Sequence, residues 1–140
     1  MEKICWANTD NFDESEFVIV GIPDESQSHA LRKGTEEAPY KIRLVSNIRD
    51  SYERNGEKSL GRPFSGTEKK VHDLGNIDRV EIDEVYDRIS RSSKIPISMG
   101  GDHSITRQII SSMGNRFGKM SLVYFDAHPD FVSSSKNYYG

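Results

Sequence analysis

Four short apolar runs, each cut off by glycine or by a polar cluster, constrain the fold of this chain more than any other feature. They are Phe17–Ile22 (F-V-I-V-G-I), Val71–Leu74 (V-H-D-L), Ile95–Met99 (I-P-I-S-M) and Ser121–Phe125 (S-L-V-Y-F). β-Branched and aromatic residues in runs of this length favour strands. The last is almost unbroken, as expected of a central strand covered on both faces. Pro96 fits a first strand position or a sheet edge. Helical spacing falls between the runs. Glu36–Ser46 reads as a helix with Pro39 in its first turn and Ala38, Ile42 and Val45 inward. Asp83–Ser93 reads as a second, with Val85, Ile89 and Tyr86 inward, and Ser104–Phe117 as a third. Asp24–Thr35 is a loop, and Asn47–Lys70, containing G-R-P-F-S-G, is a long surface excursion. Strands alternating with helices predict an α/β fold with a parallel sheet built from right-handed crossovers.

The composition narrows the class of partner. The chain has 140 residues, 34% hydrophobic and 29% charged, with a net charge of −3. That suits a single domain spanning residues 1–140 with a modest core. There is no basic stripe, which argues against nucleic acid. No apolar run approaches the roughly 20 residues needed to cross a bilayer, and the N-terminus M-E-K-I-C-W-A-N-T-D has no secretory h-region. The single cysteine, Cys5, has no intramolecular partner, which fits a reducing, cytoplasmic setting.

The polar clusters all follow strands, at the edge where open α/β sheets bind ligands. The fourth run continues into D-A-H-P-D. If the extended geometry persists, Asp126, His128 and Asp130 fall on one face, because side chains alternate with period two. Two carboxylates and an imidazole there suit a divalent cation such as manganese, magnesium or zinc; a solvated polar turn is the plainer reading. After the third run comes G-G-D-H-S, with His103 between two paired glycines and a helix. Asp102 or Ser104 can cap that helix, and on its own the motif reads equally as a strand–turn–helix junction. His103 and the Asp126 group end consecutive expected strands, so they can face one another. His29 and His72 read as surface or packed histidines, and Asp78 as a helix N-cap.

Together, G-G-D-H-S-I-T (Gly100–Thr106) and F-D-A-H-P-D (Phe125–Asp130) resemble the two N-terminal metal motifs of the ureohydrolases, the arginase and agmatinase family. R-K-G-T-E-E-A-P-Y-K-I-R (Arg32–Arg43) and D-L-G-N-I-D (Asp73–Asp78) are similar to two further family segments, and the resemblance runs from Phe17 to Asp130. It implies a three-layer α/β/α fold with a parallel sheet, of which this chain resembles the N-terminal half and so carries an incomplete sheet. It implies two Mn²⁺ ions in a complete site, with His103 and Asp130 on the first, His128 on the second and Asp126 bridging. The activity implied is hydrolysis of a small guanidino compound, commonly with release of urea, in a trimer or hexamer. No catalytic residue beyond the metal ligands is identified. Asn76 stands where the family more often has Asp. Phe131 and Val132 stand where arginases carry polar residues, which favours an agmatine-like substrate over arginine. The family's second D-x-D ligand pair has no counterpart within these residues, so four ligands with one bridge are expected to hold the second ion weakly. The alternative is a non-catalytic, truncated relative that binds metal or serves assembly or regulation.

Overall fold

The computed structural model describes residues 2–28, 31–48, 53–54, 57–58 and 69–126. The elements run β1 (Phe17–Ile22), a 3₁₀ turn (Thr35–Glu37), α1 (Ala38–Ile48), β2 (Glu53–Arg54), β3 (Glu57–Lys58), β4 (Val71–Asn76), a second 3₁₀ turn (Arg79–Glu81), α2 (Ile82–Arg91), β5 (Ile95–Gly100) and α3 (Ser104–Phe117). β1 lies between β4 and β5 and pairs with both in parallel. β2 and β3 form a two-residue antiparallel hairpin inside the stretch expected to be irregular.

The sheet is the middle of three layers, and the side chains of its central strand β1 divide the core by parity. Val18, Val20 and Ile22 pack with Ile82, Tyr86 and Ile89 of α2 and Ile105 of α3. Ile19 faces the other way, onto Ile4 and Met99. The N-terminal segment and α1 cover that second face: Ile4 N–H donates to Asp73 Oδ2 at 2.8 Å and Cys5 N–H to Ser46 Oγ at 3.1 Å. The expected parallel α/β/α layering is therefore present. Val85 is only partly buried, and Tyr86, fully buried, does most of the inward packing of α2.

Four expectations need correction. The helix expected from Glu36 begins as a 3₁₀ turn and becomes α-helical at Ala38. Its buried positions are Pro39 and Arg43, while Ile42 and Val45 are exposed. A pattern of apolar spacing could not anticipate that a charged residue faces inward, because the partner that neutralises Arg43 lies on another element.

β4 runs on through Gly75 to Asn76. Ile19 pairs with Asp73 and Val20 with Gly75, so Leu74 is an extra residue in a bulge. Gly75 has φ +92°, a left-handed conformation that glycine adopts without a Cβ penalty.

The fourth strand does not form. Residues 121–126 are described without strand pairing, and Leu122, Val123 and Phe125 are exposed. A strand is stable only when a neighbour satisfies its backbone N–H and C=O groups, and none of the described residues pairs with this segment. Among the described residues the outer side of β5 is likewise unpaired, with Ile95 and Ile97 exposed. Ile95 and Gly101 donate their N–H groups to Glu16 and Ile22 on the β1 side. By alternation Pro96 falls on the open side, where its missing N–H breaks no ladder bond.

Candidate functional site

The ends of β1, β4 and β5 meet at one edge, and the loops that leave them are bonded together. Gly101 N–H donates to Ile22 O at 3.0 Å and Asp102 N–H to Asp24 O at 2.9 Å. A Cβ on Gly101 would lie 2.2 Å from the Asp24 carbonyl oxygen, so no larger residue fits this approach. Arg79, just after β4, reaches across to Asp24 Oδ2 and to Ser104 Oγ, both at 2.8 Å. Burial works to raise the Asp24 carboxyl. The Ser26 hydroxyl and N–H, together with the Arg79 guanidinium, outweigh it and hold the group below the usual range.

His103 is carried on this junction as the last residue before α3. Asp102 does the capping: its Oδ1 accepts from Ser104 N–H at 2.8 Å and from the Ser104 hydroxyl. Its Oδ2 is buried and has no hydrogen-bond partner among the described residues. The His103 ring is oriented by Thr106, one helical turn on, whose Oγ1 lies 2.9 Å from Nδ1. Nε2 is thereby aimed outward, and the Tyr124 hydroxyl meets it at 2.8 Å. The two rings stack with centroids 5.3 Å apart. The same Tyr124 hydroxyl lies 3.3 Å from Asp126 Oδ2. A cavity of about 260 Å³ opens here, lined by the β5–α3 junction from Ser98 through His103 to Ile109.

Two of the four ligand candidates, His103 and Asp126, are thus brought together on either side of one small polar group. Asp126 reaches this position without the strand expected to deliver it. His128 and Asp130 lie outside the described residues, as do His29 and the G-R-P-F-S-G segment. Among the described residues no three His, Cys, Asp or Glu side chains come close enough to hold a metal ion. His72 is packed as expected, with Nδ1 3.2 Å from Thr9 O and its ring edge-on to Phe12. Asp78 opens the turn before α2 in a reciprocal capping arrangement with Glu81. The sequence reading missed Thr106, Tyr124 and Arg79. Thr106 had a legible signal, because position i+3 from His103 on a helix lies beside it. Tyr124 looked like core, and nothing local marks Arg79.

Beneath this edge lies a second polar cluster. Arg43 Nε and Nη2 bond Asp73 Oδ2 and Oδ1 at 2.8 and 2.7 Å, and its other donors reach Asn76 Oδ1, Pro39 O and Gly75 O. The residue sets quoted as Arg32–Arg43 and Asp73–Asp78 therefore meet through Arg43. Glu25, after β1, holds the start of the 3₁₀ turn that leads into α1 through the N–H groups of Gly34 and Thr35, at 2.8 and 2.7 Å.

Comparison with known proteins identifies the family and the fold. Residues 15–140 match the sequence profile of the arginase family. The chain is 39% identical over 121 residues to the mitochondrial agmatinase of Gallus gallus, covering 80% of this chain and 34% of that protein. It is 37% identical over 135 residues to the mitochondrial guanidino acid hydrolase of Homo sapiens, covering 87% and 36%. It is 32% identical over 127 residues to the guanidinobutyrase of Pseudomonas aeruginosa, covering 84% and 38%. The chain spans less than half the length of these relatives. Among solved structures, the agmatine ureohydrolase of Thermoplasma volcanium superposes with a TM-score of 0.69 at 30% identity, covering 99% of this chain and 46% of that one. A hypothetical agmatinase from Burkholderia thailandensis gives 0.75 at 23% identity, covering 99% and 46%, which speaks for the fold.

Proposed function

Because the chain belongs to the arginase family, we propose that the protein it forms hydrolyses a small guanidino compound with the help of two Mn²⁺ ions. The observation that supports this most is the approach of His103 Nε2 and Asp126 Oδ2 to one shared hydroxyl, at 2.8 and 3.3 Å. A nitrogen and a carboxylate oxygen converging on one small volume suit a divalent cation. Thr106 completes the fit: its hydroxyl, 2.9 Å from Nδ1, can accept from Nδ1–H, the tautomer that leaves the Nε2 lone pair for coordination. His103 and Asp130 would hold one ion, His128 the other, and Asp126 would span both. Bound there, the ions would lower the pKa of water and offset charge building on the guanidinium carbon's substituents. The protein's own part is to hold the ligands. Asp102 and Thr106 fix His103, and the bonded loops keep the junction rigid.

The related agmatinase, guanidinobutyrase and guanidino acid hydrolase are named for substrates with different tails. Phe131 and Val132, directly after Asp130, offer no polar grip for an amino-acid end, which favours an agmatine-like substrate. No helix among the described residues is long and apolar enough to cross a membrane. We place the protein in the cytoplasm, as a homo-oligomer.

The test is urea release by the full chain with Mn²⁺, offered agmatine, 4-guanidinobutyrate and arginine in parallel, with His103→Ala, His128→Ala and Asp126→Asn as controls. Release from agmatine, lost in all three variants, is expected. Manganese bound without urea release from any guanidine would favour the non-catalytic alternative. Release unaffected by the variants would sink the ligand set.

A further inference from the structure

We infer that Arg79 is a positioning residue for His103, acting through Ser104; this rests on the reading of His103 as a metal ligand. Arg79 stands at the start of the turn after β4, on a different strand end from His103. One guanidinium nitrogen serves both Asp24 Oδ2 and Ser104 Oγ at 2.8 Å. The other reaches Gln27 Oε1 at 3.2 Å and the Ser104 carbonyl at 3.4 Å. The Ser104 hydroxyl donates in turn to Asp102 Oδ1, and Asp102 N–H returns to Asp24 O at 2.9 Å. The bonds close a ring through Arg79, Ser104, Asp102 and Asp24. His103 lies between the two members of that ring that belong to its own loop. With both neighbours held, and the ring turned by Thr106, the imidazole has little freedom left.

The geometry calls for arginine specifically. A planar fork can address a carboxylate, a hydroxyl and two carbonyl oxygens together, while an ammonium is a point charge on a flexible stem. Lysine at this position would keep the ion pair with Asp24 and lose the grip on Ser104. Partners that orient a ligand without touching the metal affect affinity strongly, typically by about 10–100-fold.

The experiment titrates Mn²⁺ into the full chain and follows the free ion by electron paramagnetic resonance, alongside the melting temperature of the metal-free protein. Arg79→Lys is expected to weaken the tighter manganese site about 10-fold or more while leaving the metal-free melting temperature close to wild type. Ser104→Ala should weaken it similarly, and adding Arg79→Lys to Ser104→Ala should cost less than either change alone. Wild-type affinity in Arg79→Lys, with affinity lost in His103→Ala, overturns the inference and leaves the ligand reading standing. Wild-type affinity in His103→Ala removes the ligand reading itself. A melting temperature that falls in step with affinity in Arg79→Lys, or fully additive losses in the double variant, marks a merely structural role and also overturns it.

Discussion

Arg43 and Asp73 meet as a two-pronged ion pair with both side chains buried, their four atoms joined at 2.8 and 2.7 Å. Each oxygen of Asp73 takes a backbone N–H as well, Oδ2 from Ile4 and Oδ1 from Gly75. One contact set thus ties the N-terminal segment, α1 and β4 together. Removing one charge strands the other in a dry site, which costs about 3–5 kcal/mol. Asp73→Asn, which keeps the shape, is expected to lose stability on that scale in urea unfolding. A loss under about 1 kcal/mol would mean that water reaches Arg43.

The same pair sets an acid limit. Burial pushes the Asp73 carboxyl up, but the Arg43 guanidinium and the Ile4 and Gly75 N–H groups outweigh it and hold the group below the usual carboxylate range. The folded value therefore lies under the unfolded value of about 3.9. A depressed group contributes its full stability above the unfolded value and loses it as pH falls through the folded one. Wild type and Asp73→Asn should differ most near neutrality and converge below about pH 4. Unfolding midpoints taken from pH 7 down to pH 3 would reveal it; a constant gap would contradict the assignment.

Gly101 is fixed by space. An added methyl would meet the Asp24 carbonyl oxygen at 2.2 Å and its carbon at 2.7 Å, both backbone atoms that cannot swing aside. Gly101→Ala is expected to cost about 1–3 kcal/mol, the usual range for overpacking, and to weaken manganese binding because the displaced loop carries His103. Calorimetric melting with and without Mn²⁺ checks both parts.

Tyr124 makes an opposite prediction. On the proposed ligand set, its hydroxyl, 2.8 Å from His103 Nε2 and 3.3 Å from Asp126 Oδ2, holds the position that a bound ion would take. Its hydrogen bond to His103 must break before coordination, a net cost of about 0.5–1.5 kcal/mol. Tyr124→Phe should therefore bind Mn²⁺ roughly 2–10-fold more tightly. Weaker binding in that variant would indicate that the phenol assists the metal.

The reach of the sequence differed sharply between elements. α3 was legible to the residue, Ser104–Phe117, because Gly100–Gly101 and Gly118 bracket a regular apolar spacing. β1 was legible because its β-branched run is buried on both faces. Residues 121–125 carry an equally strong apolar signal and form no strand. Apolar pattern reports that a segment can be buried, while pairing needs a neighbour that the pattern does not name. For the candidate site, the approach of His103 and Asp126 to one another was legible from their places after consecutive apolar runs. Arg79 and Tyr124 were not, since their roles exist only once separate strand ends are brought together.

The extra residue at Leu74 has an evolutionary corollary. Asp73 and Asn76 are three positions apart, so in a regular strand they would point to opposite faces. Both touch Arg43 because the bulge resets the alternation between them. The spacing D-L-G-N thus works as a reading frame. Leu74 is half-buried and can be exchanged for another apolar residue, whereas flattening the bulge with all four residues kept would swing Asn76 to the far side of the sheet and leave the arginine's pocket short of an acceptor. Divergent copies of this segment should therefore keep the bulge and its glycine at this length, or lose one residue together with the bulge.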